Sequence, residues 1–125
     1  MNILTRNRIY FLLKDPYWSF ICWQVNWTEA EQKIFAPGQH VIRVHDVTDI
    51  IFDGHNSHGY VELENIDATD HWYFQLPLPG RNYCAEIGVN TGTQFSVIAR
   101  SNTLFGPRAG PSESREERWS TYELR

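Results

Sequence analysis

The stretch Leu76-Pro77-Leu78-Pro79-Gly80-Arg81-Asn82-Tyr83 decides the architecture of this chain. Two prolines and a glycine enforce a tight corner, because Pro presets its own φ and Gly tolerates the left-handed region. Directly after it, Tyr83, Ala85, Ile87 and Val89 alternate with Cys84, Glu86 and Gly88. That is the period-two pattern of a strand with one apolar face and one face expected to be wet. Outward from this point, segments rich in rings and β-branched residues recur at 8–13, 18–25, 41–48, 59–64, 72–76, 83–89 and 94–100. Gly, Pro, Asn and Asp fill the gaps, so the spacing predicts an all-β fold, a two-sheet antiparallel sandwich of about seven strands.

Within 18–25, the sets Trp18/Phe20/Cys22 and Ser19/Ile21/Trp23/Val25 are both fairly apolar. Such a strand is central and covered on both sides, or lies at an interface. Helical signals are few. Thr28 with Glu31 reads as a capping box opening a short helix to Phe35, whose Trp27, Ile34 and Phe35 would plug one end of the sandwich. Residues 101–125 read as a C-terminal strap followed by a second short helix after Ser114, with Trp119 and Tyr122 as an apolar pair on a charged stretch.

The chain has 125 residues, the size of one domain, and residues 1–125 are read as a single sandwich domain able to bury an ordinary core. Aromatic residues make up 14% of it, including five Trp, so many large rings must find packing partners. A net charge of −4 offers no basic field for a phosphate backbone, which argues against nucleic acid as a partner. The apolar run at 9–13 is far too short for a membrane span and has no cleavage signal, so the expectation is a cytoplasmic protein without membrane contact. Cys22 and Cys84 are expected to be free thiols there.

With these residues in hand, two resemblances emerge. The segment Leu78-Pro79-Gly80-Arg81-Asn82-Tyr83 is similar to the corner of fibronectin-III and immunoglobulin-like domains. That likeness makes Tyr83 the corner tyrosine, its hydroxyl folded back on the preceding turn, and Trp23 the core tryptophan of the second strand. The chain as a whole resembles a bacterial family known as domain of unknown function 4912. The pieces that carry this likeness are Lys14-Asp15-Pro16-Tyr17-Trp18, Val44-His45-Asp46-Val47-Thr48-Asp49, Asn56-Ser57-His58, Pro79-Gly80-Arg81-Asn82-Tyr83-Cys84, Ile98-Ala99-Arg100-Ser101-Asn102 and Gly106-Pro107-Arg108. The resemblance implies a fold and no established activity.

No catalytic motif stands out, and the chain is read as not an enzyme. Ser101, His58 and Asp46 lack a nucleophile elbow. The acidic loop Asp46/Asp49/Asp53/Asn56 fails the calcium-loop template, since Ile51 falls on a ligand position and Tyr60 replaces the closing Glu. His45, His55 and His58 have no further soft ligand at zinc spacing. Asp46 and Asp49 are better read as turn caps, Glu62 and Glu64 as a solvated strand face, and an Arg100–Asp15 pair as a pin for the strap. No cofactor and no metal are expected.

Two functions remain. The first is a binding module for a protein partner or a second copy, using a strand edge or the Trp119/Tyr122 segment. The alternative is an α-glucan-binding module, with a site where Asp15, Trp18, Asp46, His58, Arg100 and Asn102 converge at one end of the sandwich.

Overall fold

The computed structural model describes residues 6–32, 34 and 37–107. Seven strands form two antiparallel sheets: β1 (Arg8–Asp15), β2 (Trp18–Gln24), β3 (Gln39–Asp46), β4 (Tyr60–Leu63), β5 (His71–Gln75), β6 (Asn82–Asn90) and β7 (Phe95–Phe105). One sheet has the order β1-β2-β5 and the other β4-β3-β6-β7. Between them lies a core of Ile9, Phe11, Ile21, Trp23, Ile42, Val44, Leu63, Ile66, Phe74, Leu76, Tyr83, Ala85, Ile87 and Leu104. Every strand contributes through alternate residues, as a period-two pattern demands.

The corner behaves as its residues require. Gly80 has φ 73°, a conformation glycine adopts without penalty. Tyr83 is fully buried, and its hydroxyl donates to the Leu78 carbonyl at 3.2 Å and accepts from the Leu78 N–H at 3.1 Å. One side chain thus satisfies both backbone groups of a residue that no strand can pair.

Three local expectations change. The short helix α1 (Trp27–Glu31) is capped by Asn26 rather than Thr28: Asn26 Oδ1 accepts from Glu29 N at 3.1 Å. Asn wins because it sits one residue before the first helical position, where a short side-chain acceptor reaches the third N–H. Trp27 packs against the core and stacks on the His40 ring with centroids 3.6 Å apart, and Ile34 is half-buried; Phe35 lies outside the described residues.

Next, β7 runs five residues past its expected end at Arg100, so Ser101–Phe105 is strand rather than strap. The run is sustained by pairing with Asn82–Cys84 of β6, across a bulge at which Ser101 Oγ accepts from Ala85 N at 2.9 Å. Residues 108 onward, including Trp119 and Tyr122, lie outside the described residues.

Finally, the outward face of β6 is dry. Cys84 and Glu86 are 2% and 1% exposed, because Arg100, His45 and the 47–59 connection cover them. At a second bulge Gly88 lies so close to the Ser96 carbonyl that a Cβ would stand 2.1 Å from the oxygen, so no side chain fits.

Candidate functional site

The residues expected to converge are instead distributed over separate structural tasks. Asp15 Oδ1 accepts from the N–H groups of Tyr17 (2.8 Å) and Trp18 (2.9 Å), shaping the β1–β2 turn. Asn102 bridges the two sheets: its side-chain oxygen accepts from Phe11 N at 3.0 Å and its amide donates to Phe11 O at 2.8 Å. Arg100 does not pair with Asp15. It binds Glu86 with Nε and Nη2, at 3.0 and 2.9 Å, because both project from neighbouring strands on the same face.

Asp46 and His58 do meet, through Thr48. Asp46 Oδ1 accepts from Thr48 N (3.1 Å) and Oγ1 (2.6 Å), Oδ2 accepts from Arg81 Nε (2.9 Å), and His58 Nε2 stands 2.7 Å from Thr48 O. Thr48 Oγ1 in turn accepts from Asn82 N at 2.9 Å. Burial disfavours the Asp46 charge, but the bonds from Thr48 and Arg81 outweigh it and hold the carboxyl below its ordinary range. These residues lace the 46–59 connection to the 78–83 corner.

A second network lies under that connection. His45 Nδ1 is 3.0 Å from Ser57 Oγ, and His45 Nε2 is 3.0 Å from Glu86 Oε1, though too oblique for a well-formed hydrogen bond. Rings of Phe52 and Tyr60 close over His45 at 4.7 and 5.4 Å, and Phe52 also lies 4.8 Å from the Arg100 guanidinium. Burial pushes the Glu86 carboxyl up, but His45 and Arg100 together hold it below its ordinary range. Ser57, His45 and Glu86 have the composition of a nucleophile relay, yet the glutamate is bound twice by Arg100 and the imidazole lies sealed under two rings. The network clamps a loop onto a sheet.

The exposed chemistry lies on the opposite side. On the outer face of β1-β2-β5, strand register sets Leu12 beside Phe20 and Phe20 beside Tyr73, with Tyr10, Cys22 and His71 in the next row and Trp18 beside Gln75. Tyr10 is 45%, Leu12 51%, Trp18 38% and Tyr73 58% exposed. The rings touch: Phe20 lies 5.1 Å from Tyr73 and 5.7 Å from His71, and the Lys14 ammonium stands 5.7 Å from the Tyr73 centroid. At one end, Arg8, Tyr10, Phe20, Cys22, Gln24, Asp70 and His71 line an open cavity of about 330 Å³. Burial, then Asp70, pushes the Cys22 thiol up, so it stays protonated.

Of the expected ligand residues only Trp18 belongs to this face. Tyr10, Leu12, Phe20 and Tyr73 were missed, although the two-sided apolarity of 18–25 was their signal: one of its two apolar sets is outside the core. Both cysteines are free, and they lie on opposite outer faces of the sandwich. Among the described residues no group of three His, Cys, Asp or Glu side chains is placed to hold a metal, and no helix is long and apolar enough to cross a membrane.

The sheet orders and the tyrosine corner define a fibronectin-III-like domain. The fold is similar to the crystal structure of the FN5 domain of Drosophila Lar, with a TM-score of 0.51 at 9% identity, covering 85% of this chain and 98% of that one. The chain belongs to DUF4912, a domain of unknown function, whose family model matches residues 5–117. No curated protein matches it.

Proposed function

We propose that this domain is a non-catalytic interaction module, cytoplasmic, that binds a protein partner through the outer face of β1-β2-β5. The observation that carries this reading is the contiguous row Leu12–Phe20–Tyr73, flanked by Tyr10 and Trp18, left in water. Apolar surface of this kind gains roughly 25 cal/mol per Å² when covered, and rings are the side chains that most often anchor an interface. Lys14 and Arg8 at the margin add positive charge to an otherwise acidic protein, which suits an acidic partner. A non-catalytic role is supported by the internal pairing of Asp46, Glu86, Arg81 and Arg100.

A photoreactive amino acid at position 12, compared with one at position 93 in the β6–β7 turn, tests the reading in cells. One discrete protein adduct is expected from position 12 and none from position 93. Equal labelling at both positions, or none at either, overturns it.

The cavity favours a second reading, binding of an α-glucan. Ring faces of Tyr10 and Phe20 suit the C–H face of a sugar, and Arg8, Gln24 and Asp70 offer donors and acceptors for hydroxyls. Titration with maltooligosaccharides, followed by the fluorescence of Trp23 at the cavity wall alongside a folded Tyr10→Ala variant, decides it. No response in the wild type removes the glucan.

A further inference from the structure

We propose that β5 pairs edge to edge with β5 of a second copy of this chain, antiparallel about a two-fold axis at Tyr73. The argument begins with how the sandwich treats its strand edges. At β1, Asn102 occupies both backbone groups of Phe11 and ties that edge to β7. At β4 the edge is four residues long and carries Glu62, which is fixed by Arg43 at 3.0 Å. Short length, charge and cover are the devices that keep edges from pairing with other chains.

β7, the other edge of the β4-β3-β6-β7 sheet, is bent by two bulges and carries Arg100. The remaining edge, β5, is short as well, at five residues, but among the described residues its centre has neither charge nor cover. β5 reads His71-Trp72-Tyr73-Phe74-Gln75, without a Lys, an acidic residue, a proline or a bulge, and among the described residues it pairs only with β2. Its polarity follows from the flanking bonds. Asp70 O accepts from Trp23 N at 3.0 Å, and Leu76 N donates to Tyr17 O at 2.8 Å, so even-numbered residues direct their backbone groups toward β2. His71, Tyr73 and Gln75 therefore direct theirs to the open side. Thr69 Oγ1 sits loosely on the His71 N–H and carbonyl, at 3.3 and 3.2 Å, which leaves the centre of the strand as the template.

A second copy is the occupant because the strand is complementary to itself. With Tyr73 opposite Tyr73, Trp72 faces Phe74 and His71 faces Gln75, so every cross-strand pair is ring against ring or neutral polar against imidazole. No carboxylate or ammonium of the strand meets its like. Such an interface is isologous and closes at two subunits. It also joins the outer faces, since Leu12–Phe20–Tyr73 of one protomer continues into the same row of its partner. The pairing stands whether or not that face binds a further protein. A five-residue edge is small for an interface, and each chain carries −4, so the dimer is weak, concentration-dependent and strengthened by salt.

Sedimentation equilibrium of the full chain over a concentration series tests this, using wild type, Tyr73→Lys, Tyr73→Glu and an equimolar mixture of the two variants. The wild type is expected to rise from one to two chain masses. Each charged variant is expected to stay monomeric with an unchanged circular dichroism spectrum, and the mixture to dimerise again, because Lys then faces Glu across the axis. A wild type that is monomeric throughout, variants that dimerise as well as wild type, or a mixture that stays monomeric would each overturn the proposal. If the charged variants do not fold, Tyr73→Pro removes the outward N–H at the axis itself and leaves the β2 ladder its even-numbered partners. An undiminished dimer in that variant also overturns the pairing.

Discussion

The two outer faces of this sandwich are handled in opposite ways. Over β3 and β6 the chain places a long connection whose Phe52 and Ser57 sit on His45 and Arg100, and it neutralises Glu86 from two sides. Over β1-β2-β5 no described residue performs that service, and Tyr10, Leu12, Trp18 and Tyr73 remain in water. Polar groups are buried where apolar ones would be expected, and apolar groups are exposed where polar ones would be. The first arrangement spends its side chains on internal bonds and so contributes stability and shape. The second leaves surface whose burial is still favourable, which is what a binding face requires.

The contrast breaks most sharply at Glu86. Glu86→Ala removes a buried carboxylate and leaves Arg100 and His45 without their partner, so a loss of about 3 kcal/mol is expected by urea unfolding. Half-exposure of Arg100 keeps the loss at the low end of such cases. A change below the error of the measurement would mean that the covered face is no more structural than the open one.

A smaller effect should appear in acid. Asp46 and Glu86 both have folded-state values below those of the unfolded chain, so the stability they confer is complete above the ordinary carboxylate range. It is lost as pH falls through that range to their depressed folded values. Thermal unfolding followed from neutral pH downward should therefore show a falling midpoint, and the fall should be shallower in Glu86→Gln, which has one fewer proton to take up. Equal slopes would remove Glu86 from the account.

The smallest effect is expected on the open face. Leu12→Gln replaces an exposed side chain and should change unfolding free energy by no more than about 0.5 kcal/mol. A loss as large as that of Glu86→Ala would show that the face is covered in solution and would erase the contrast.

Much of the fold was legible because its signals are local. The Pro-Gly corner, the alternation after Tyr83 and the regular spacing of apolar segments placed all seven strands, most within one or two residues of their ends. Errors arose where a residue's partner is remote in sequence. Ser101–Phe105 looked like the start of an irregular strap, since only pairing with Asn82–Cys84 extends the strand past Arg100. Glu86 looked wet because alternation reports which residues share a face, not whether another segment lies over that face. An Arg100–Asp15 pair is expected if both lie at one rim of the sandwich, but the register places Arg100 beside Glu86 instead.

The same distinction runs through the candidate site. Two apolar sets on one strand announced that 18–25 meets apolar surroundings on both sides, but core and interface look alike in one dimension. Composition, periodicity and turn chemistry act through neighbours along the chain, so the sequence alone determined the strands, the corner, the absence of a basic field and the alternation of faces. Which face was covered by described residues depended on where the 47–59 connection came to rest, and the edge of β1 was closed by Asn102 reaching Phe11 from 91 residues away. Those outcomes rest on contacts between distant segments, which exist only once the two sheets have closed on their core.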